Sequence, residues 1–259
     1  MILPVVFGQI AHSDDYKYEY ARSHSLYAPY TELELSSKFW DFGQGSVVFT
    51  QKGVRLTPDL PSRRGWLWSK EQISGSFEMD IEYKMHGINQ GLAGDGMAIW
   101  LVEDQWQNGE SLGFKANWNG IGVILDTYKN GKNNGDLFRP HYVQAVYNDK
   151  TKYYNKDTDG VEMSLGGCTR SMRNKEKATR MRITYIQHQK LQVFMNKDAW
   201  ADWELCFEKE LSNIAMPDNL YFGFTAETGG LSDNHDVIAI NTNKISLKVL
   251  VYNIVWQFR

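Results

Sequence analysis

The chain has 259 residues and a formal charge of −3, which fits one large domain or two small ones and offers no basic face for nucleic acid. Hydrophobic residues make up 42% of it, enough for a sizeable core, yet no stretch approaches the roughly 20 apolar residues that span a bilayer. The 14% aromatic content suits β-sandwich cores and sugar-binding clefts alike. In chain order, the start, MILPVVFGQIA, is apolar but lacks a basic flank, so it reads at best as a clipped signal peptide, and residues 1–22 as a loose arm. Strands then dominate. SVVFT (46–50), GSFEMDIEYKM (75–85), GMAIWLV (96–102), GIGVILDTY (120–128), HYVQAVYN (141–148), TRMRITYI (179–186), KLQVFMN (190–196), LYFGFTAET (220–228) and VIAINT (237–242) all read as extended, with Gly, Asn or Asp at the breaks.

RMRITYIQHQKLQVFMN predicts a hairpin turning at QHQK, and residues 196–217 predict one helical turn. SDNHD, with His235 between acids, reads as a polar turn before the last strand. Residues 243–259 read as a tail or extra strand of unknown role; Lys248, Asn253 and Gln257 interrupt the apolar run there, so it reads as one or two strands and not an anchor. No long helices alternate with the strands, which excludes a doubly wound fold; turn-rich joints between many strands predict an antiparallel sandwich.

Three places look chemical. In GVILDTYKN (122–130) an apolar strand ends in Asp126, Tyr128 and Asn130 at alternate positions, where oxygens on an extended chain point the same way. They can converge on a cation, on a sugar, or on water alone, as turn-capping residues do. Asp95 lies in GDG and Gly229–Leu231 in TGGL, where glycine lets backbone take geometries or approaches closed to other residues. In FEMDIEYK, Glu78, Asp80 and Glu82 share one strand face. The string EMDIE resembles the active strand of jelly-roll β-glucan hydrolases, in which retaining chemistry needs two carboxyls about 5–5.5 Å apart. Glu78 and Glu82 are about 13 Å apart by rise alone, and a solvated strand face is the plainer reading. Cys168 and Cys206, the two cysteines, suit one disulfide or two buried thiols equally.

HSLYAPY (24–30), WDFGQGS (40–46), VRLTPD (54–59), GDGMAIW (94–100), LDTYKN (125–130), TDG (158–160), CTRSMRNK (168–175) and TGGLSDNHD (228–236) occur in an order and spacing that carry a family. Together they resemble the L-type lectin domain of the animal leguminous-type cargo receptors of the early secretory pathway. The vesicular integral membrane lectin branch is nearest, with the ER-Golgi intermediate compartment lectin as a cousin. The resemblance covers about residues 23–242. It implies an all-β jelly-roll sandwich of two antiparallel sheets that binds high-mannose N-glycans of cargo glycoproteins with Ca2+ and is not an enzyme. It implies calcium ligands at Asp126, the Tyr128 carbonyl, Asn130 and Asp159. Mannose contacts fall at Asp95, Asn130 and the Gly229–Gly230–Leu231 backbone, with Ser62 at a further sugar-contacting position. Asn130 would serve twice, its oxygen on the ion and its NH2 on a sugar hydroxyl. The resemblance also implies a Cys168–Cys206 disulfide and residence in the lumen of the secretory pathway. Relatives usually continue into a stalk and a membrane span, so this chain reads as a luminal portion, a soluble variant or an unusual transcript.

Two positions depart from the pattern. Gly230 stands where the vesicular branch usually has Asp. Lys156 stands where the family has a mannose-bonding His, three residues before the calcium Asp. Lysine is an obligate donor, whereas neutral His can donate or accept. Its charge should weaken calcium unless Asp157 or Asp159 offsets it. Two alternatives therefore stay open: the Glu78/Glu82 hydrolase, and a lectin fold that has lost sugar binding and takes protein partners.

Overall fold

The computed structural model describes residues 16–31, 37–130, 141–196 and 202–247. Its strands are β1 (Tyr16–Tyr20), β2 (Trp40–Gln44), β3 (Val47–Phe49), β4 (Gly53–Thr57), β5 (Arg64–Ser69), β6 (Ile73–Ser74), β7 (Ser76–His86) and β8 (Gly96–Val102). They continue as β9 (Asn119–Asp126), β10 (Tyr142–Asp149), β11 (Ser164–Thr169), β12 (Thr179–Ile186), β13 (Lys190–Asn196), β14 (Trp203–Glu210), β15 (Asn219–Glu227) and β16 (Asn234–Leu247). One sheet runs β14-β13-β12-β7-β16-β4-β3, with β1 added on β16; the other runs β11-β10-β9-β8-β15-β5-β2, with β6 added on β15. The strand pairs within both sheets are antiparallel, which gives the expected jelly-roll sandwich.

The core follows from alternation. On β7, Phe77, Met79, Ile81, Tyr83 and Met85 are fully buried. They pack against Met97, Ile99 and Leu101 of β8 and Ile121, Val123 and Leu125 of β9 across the sandwich. Strand β8 is buried along its whole length, because a second cluster, with Trp68, Trp100, Phe114 and Trp118, covers the outer face of that sheet. Gly223 is required there: a Cβ on it would lie 2.0 Å from the Trp68 ring. The Cys168–Cys206 bond forms, joining β11 to β14 and so tying the two sheets at their shared edge.

Several expectations are corrected. Within residues 196–217, read as holding one helical turn, Trp203–Glu210 is the edge strand β14, paired with β13, and residues 197–201 lie outside the described residues. The segment read as a loose arm holds strand β1, paired from Tyr16↔Leu247 to Tyr20↔Asn243, so residues 243–247 continue β16. Residues 1–15 and 248–259 lie outside the described residues. His235 is no turn residue: it sits in β16, fully buried, with Nδ1 2.6 Å from the Thr57 hydroxyl. The hairpin at QHQK forms as read, closed by Gln189 N–H donating to the Ile186 carbonyl at 2.9 Å.

The hydrolase reading meets a plain obstacle. Arg182 holds Asp80 through two bonds of 2.6 and 2.7 Å and lies 3.6 Å from Glu78. The same guanidinium sits over the Trp203 ring at 4.6 Å. Those carboxylates form an ion-paired outer strand face, on the sheet opposite the residues described next.

Candidate functional site

Sheet register assembles the site. Gly96 at the start of β8 pairs with Asp126 at the end of β9 and with Glu227 at the end of β15; Glu227 in turn pairs with Arg64 at the start of β5. Four neighbouring strands thus place Arg64, Asp95, Asp126 and Glu227 at one end of one sheet. Asp159, in the segment after β10, is brought to the same end, where its carbonyl accepts from buried Gln144 Nε2 at 2.5 Å.

Asp126 closes a tight turn, accepting from the Tyr128 N–H at 2.9 Å. Asp159 accepts from the Asn130 backbone N–H at 2.9 Å and from Asn130 Nδ2 at 2.8 Å. Asp126, Tyr128, Gln144 and Asp159 line one cavity of about 350 Å³. Burial, then the charge of Asp159, pushes the Asp126 carboxyl well above the usual carboxylate range. Burial also raises Asp159. Two acids held together against burial form an environment that a cation would relieve.

Asp95 stands beside them. It follows a cis Gly94–Asp95 peptide, and its carbonyl accepts from Thr127 N–H at 3.1 Å, linking it to the Asp126 turn. Gly229 packs on its carboxylate so closely that a Cβ would come within 2.8 Å of Oδ1. Ser62, at φ 55°, donates its N–H to the Gly229 carbonyl at 2.9 Å. A Cβ on Gly94 would lie 3.2 Å from Tyr128 and 3.7 Å from Leu231, while one on Gly230 would meet nothing within 4 Å. The glycine turn is anchored just beyond by Ser232, which donates to Asp59 at 2.6 Å, and by the buried Asp233–Arg173 ion pair. The expected residues Ser62, Asp95, Tyr128, Asn130, Asp159 and Gly229–Leu231 therefore gather at one end of the sandwich.

Lys156 gathers with them, but not as expected. Its charge is offset neither by Asp157 nor by Asp159. Nζ lies 3.0 Å from Glu227 Oε1 and 3.2 Å from Asp95 Oδ2. Arg64 Nη2 donates to the same Glu227 oxygen at 2.8 Å. Burial opposes the Lys156 charge, yet its bond to Glu227 and the two carboxylate charges hold its pKa above the usual lysine value. Burial raises Asp95 despite the ammonium beside it. Ser62, Arg64, Glu227 and Gly229 line a second cleft of about 530 Å³.

Glu227, Arg64 and Gln144 were missed by sequence reasoning. The signal for Glu227 was the one that exposed Asp126: an acid at the last position of an apolar strand, here LYFGFTAE. Asn130 also differs from expectation, because its NH2 group is engaged by Asp159. Among the described residues no three His, Cys, Asp or Glu side chains form a ready metal cluster. Calcium does not need one, since it accepts carbonyl, amide and water oxygens beside carboxylates.

A jelly-roll sandwich with acids and a glycine turn converging at one sheet end defines a legume-lectin-like protein. The chain belongs to the legume-like lectin family, whose model matches residues 17–250. It is 34% identical over 230 residues to vesicular integral-membrane protein VIP36 of Mus musculus, covering 88% of this chain and 63% of that one. It is 30% identical over 237 residues to protein ERGIC-53 of Mus musculus, covering 90% of this chain and 43% of that one. The chain thus spans less than two thirds of the length of these relatives. The VIP36 exoplasmic/lumenal domain in its Ca2+/Man3GlcNAc-bound form superposes with a TM-score of 0.80 at 31% identity, covering 90% of this chain and 92% of that one. The family consists of lectins, which are not enzymes, so the hydrolase alternative is set aside.

Proposed function

We propose that the chain binds high-mannose N-glycans, with calcium, on glycoproteins in the lumen of the early secretory pathway. The observation that carries this is the convergence of Asp95, Asp126, Asn130, Asp159 and the Gly229–Leu231 turn at one sheet end. Asp126 and Asp159 would hold the ion, with the Tyr128 carbonyl and Asn130. For Asn130 to give its oxygen, its amide must turn over, because its NH2 now donates to Asp159. When bound, calcium supplies a fixed charge that offsets the two carboxylates and orders the loop carrying Asn130. Asp95 would accept from sugar hydroxyls. The Gly229–Leu231 backbone and Asn130 would donate, Ser62 would flank them, and Lys156 would donate from the rim. The related VIP36 domain has been solved with calcium and mannose together, which supports the pairing of ion and sugar here. The Cys168–Cys206 bond supports an oxidising compartment.

A second reading has its own observation. Lys156 sits on Asp95, so a lectin fold without sugar binding, serving protein partners, is the alternative.

Calcium itself gives the first test. Saturating calcium should raise the melting temperature by several degrees, as a ligand specific to the folded state does. Asp126→Asn with Asp159→Asn should remove that rise; a rise that survives in the double variant would place the ion elsewhere.

A further inference from the structure

Glu227 is an unusual residue to find at this site. It is 6% exposed, and burying a carboxylate is costly unless it is paired. Its Oε1 is shared by Arg64 and Lys156, while Oε2 has no hydrogen-bond partner among the described residues. What Glu227 does achieve is the placement of an ammonium. Lys156 has three N–H donors on a flexible stem and would, with one partner, close fully onto Asp95. With Glu227 on one side at 3.0 Å and Asp95 on the other at 3.2 Å, the ammonium is held between two carboxylates. Arg64, at the start of β5, fixes Glu227 in turn.

From this arrangement we infer that Glu227 is a specificity-determining positioning residue: it holds Lys156 so that the remaining Lys156 N–H and the Asp95 carboxylate form a donor–acceptor pair. The ligand chemistry that fits such a pair is a vicinal diol of a neutral hexopyranose. One hydroxyl donates to Asp95 and its neighbour accepts from Lys156. Sharing the ammonium charge also leaves Asp95 lone pairs open to the sugar. This inference rests on the sugar-site reading above and adds to it how the lysine is made to serve.

The test is a thermodynamic cycle with methyl α-mannopyranoside in saturating calcium, measured by titration calorimetry. Glu227→Gln keeps the shape and removes the charge. It should weaken wild-type binding about tenfold or more, the size of a charge-assisted hydrogen bond. In a Lys156→Met background the same change should matter less than about twofold, the limit expected of uncoupled sites. The calcium-induced rise in melting temperature should be unchanged in Glu227→Gln, which separates positioning from loss of structure. Equal losses in both backgrounds, or no loss in the wild type, overturn the inference and leave the sugar site standing. Absence of binding by the wild-type protein overturns both. If the Lys156→Met proteins bind too weakly to titrate, NMR of the Lys156 ammonium decides. A slowly exchanging signal in the wild type that vanishes in Glu227→Gln supports the inference, and a signal the two proteins share overturns it.

Discussion

Lys156 Nζ lies 3.2 Å from Asp95 Oδ2, so the lysine at the rim of the proposed site is in contact with the carboxylate proposed to accept from the sugar. The contact does not consume the acid, because Glu227 takes a share of the same ammonium at 3.0 Å. That sharing also makes Asp95 removable. In Asp95→Ala, Lys156 keeps Glu227 as a partner and no buried charge is stranded. Binding to mannose should fall below detection, while the melting temperature stays within a few degrees of the wild type. Retained binding would locate the sugar elsewhere.

The disulfide gives a stability prediction. Cys168 and Cys206 are separated by 38 positions and join the two sheets at their edge. A cross-link closing a loop of this size is worth about 2–4 kcal/mol. Replacing both with Ser should lower the urea unfolding midpoint accordingly, with little change in sugar affinity, because the bond lies outside the residues assigned to binding.

Much of this was legible in the sequence, for physical reasons. The strands with strict alternation or continuous apolar runs, β7 through β10, were readable because burial dictates their pattern. The edge strands were not. β1 (YKYEY) and β14 (WELCFEKE) are held by pairing rather than by burial, so their composition looks like an arm and a helical turn. Asp126, Asp95 and the glycine turn were readable as acids and glycines at the ends of apolar strands. Lys156 was readable as a departure, but its partner was not: Glu227 is 71 positions away, and only the β15–β8 register brings it to Asp95. His235 was misread because a histidine flanked by acids looks solvated; its neutral ring is instead buried against Thr57.

That buried ring predicts acid sensitivity. Burial, its largest cause, lowers the His235 pKa from 6.5 to about 3. The unfolded chain therefore takes up a proton below about pH 6.5 that the folded chain refuses until about pH 3, so stability falls as pH drops through that window. The slope from this one residue is at most about 1.4 kcal/mol per pH unit. The raised carboxyls of Asp95, Asp126 and Asp159 act in the opposite direction, so the contribution must be read by difference. Chemical unfolding of wild type and His235→Gln from about pH 7 to about pH 4 should show a shallower acid decline in the variant. Parallel curves would mean that the ring is protonated in the folded state.

The central claim is that an ion and a sugar share one sheet end. It is tested most directly by glycan-array binding, run in calcium and again in chelator. Binding to high-mannose glycans in calcium that disappears in chelator is the predicted result. Folded protein that binds no glycan in either condition, or binds equally in both, would contradict it.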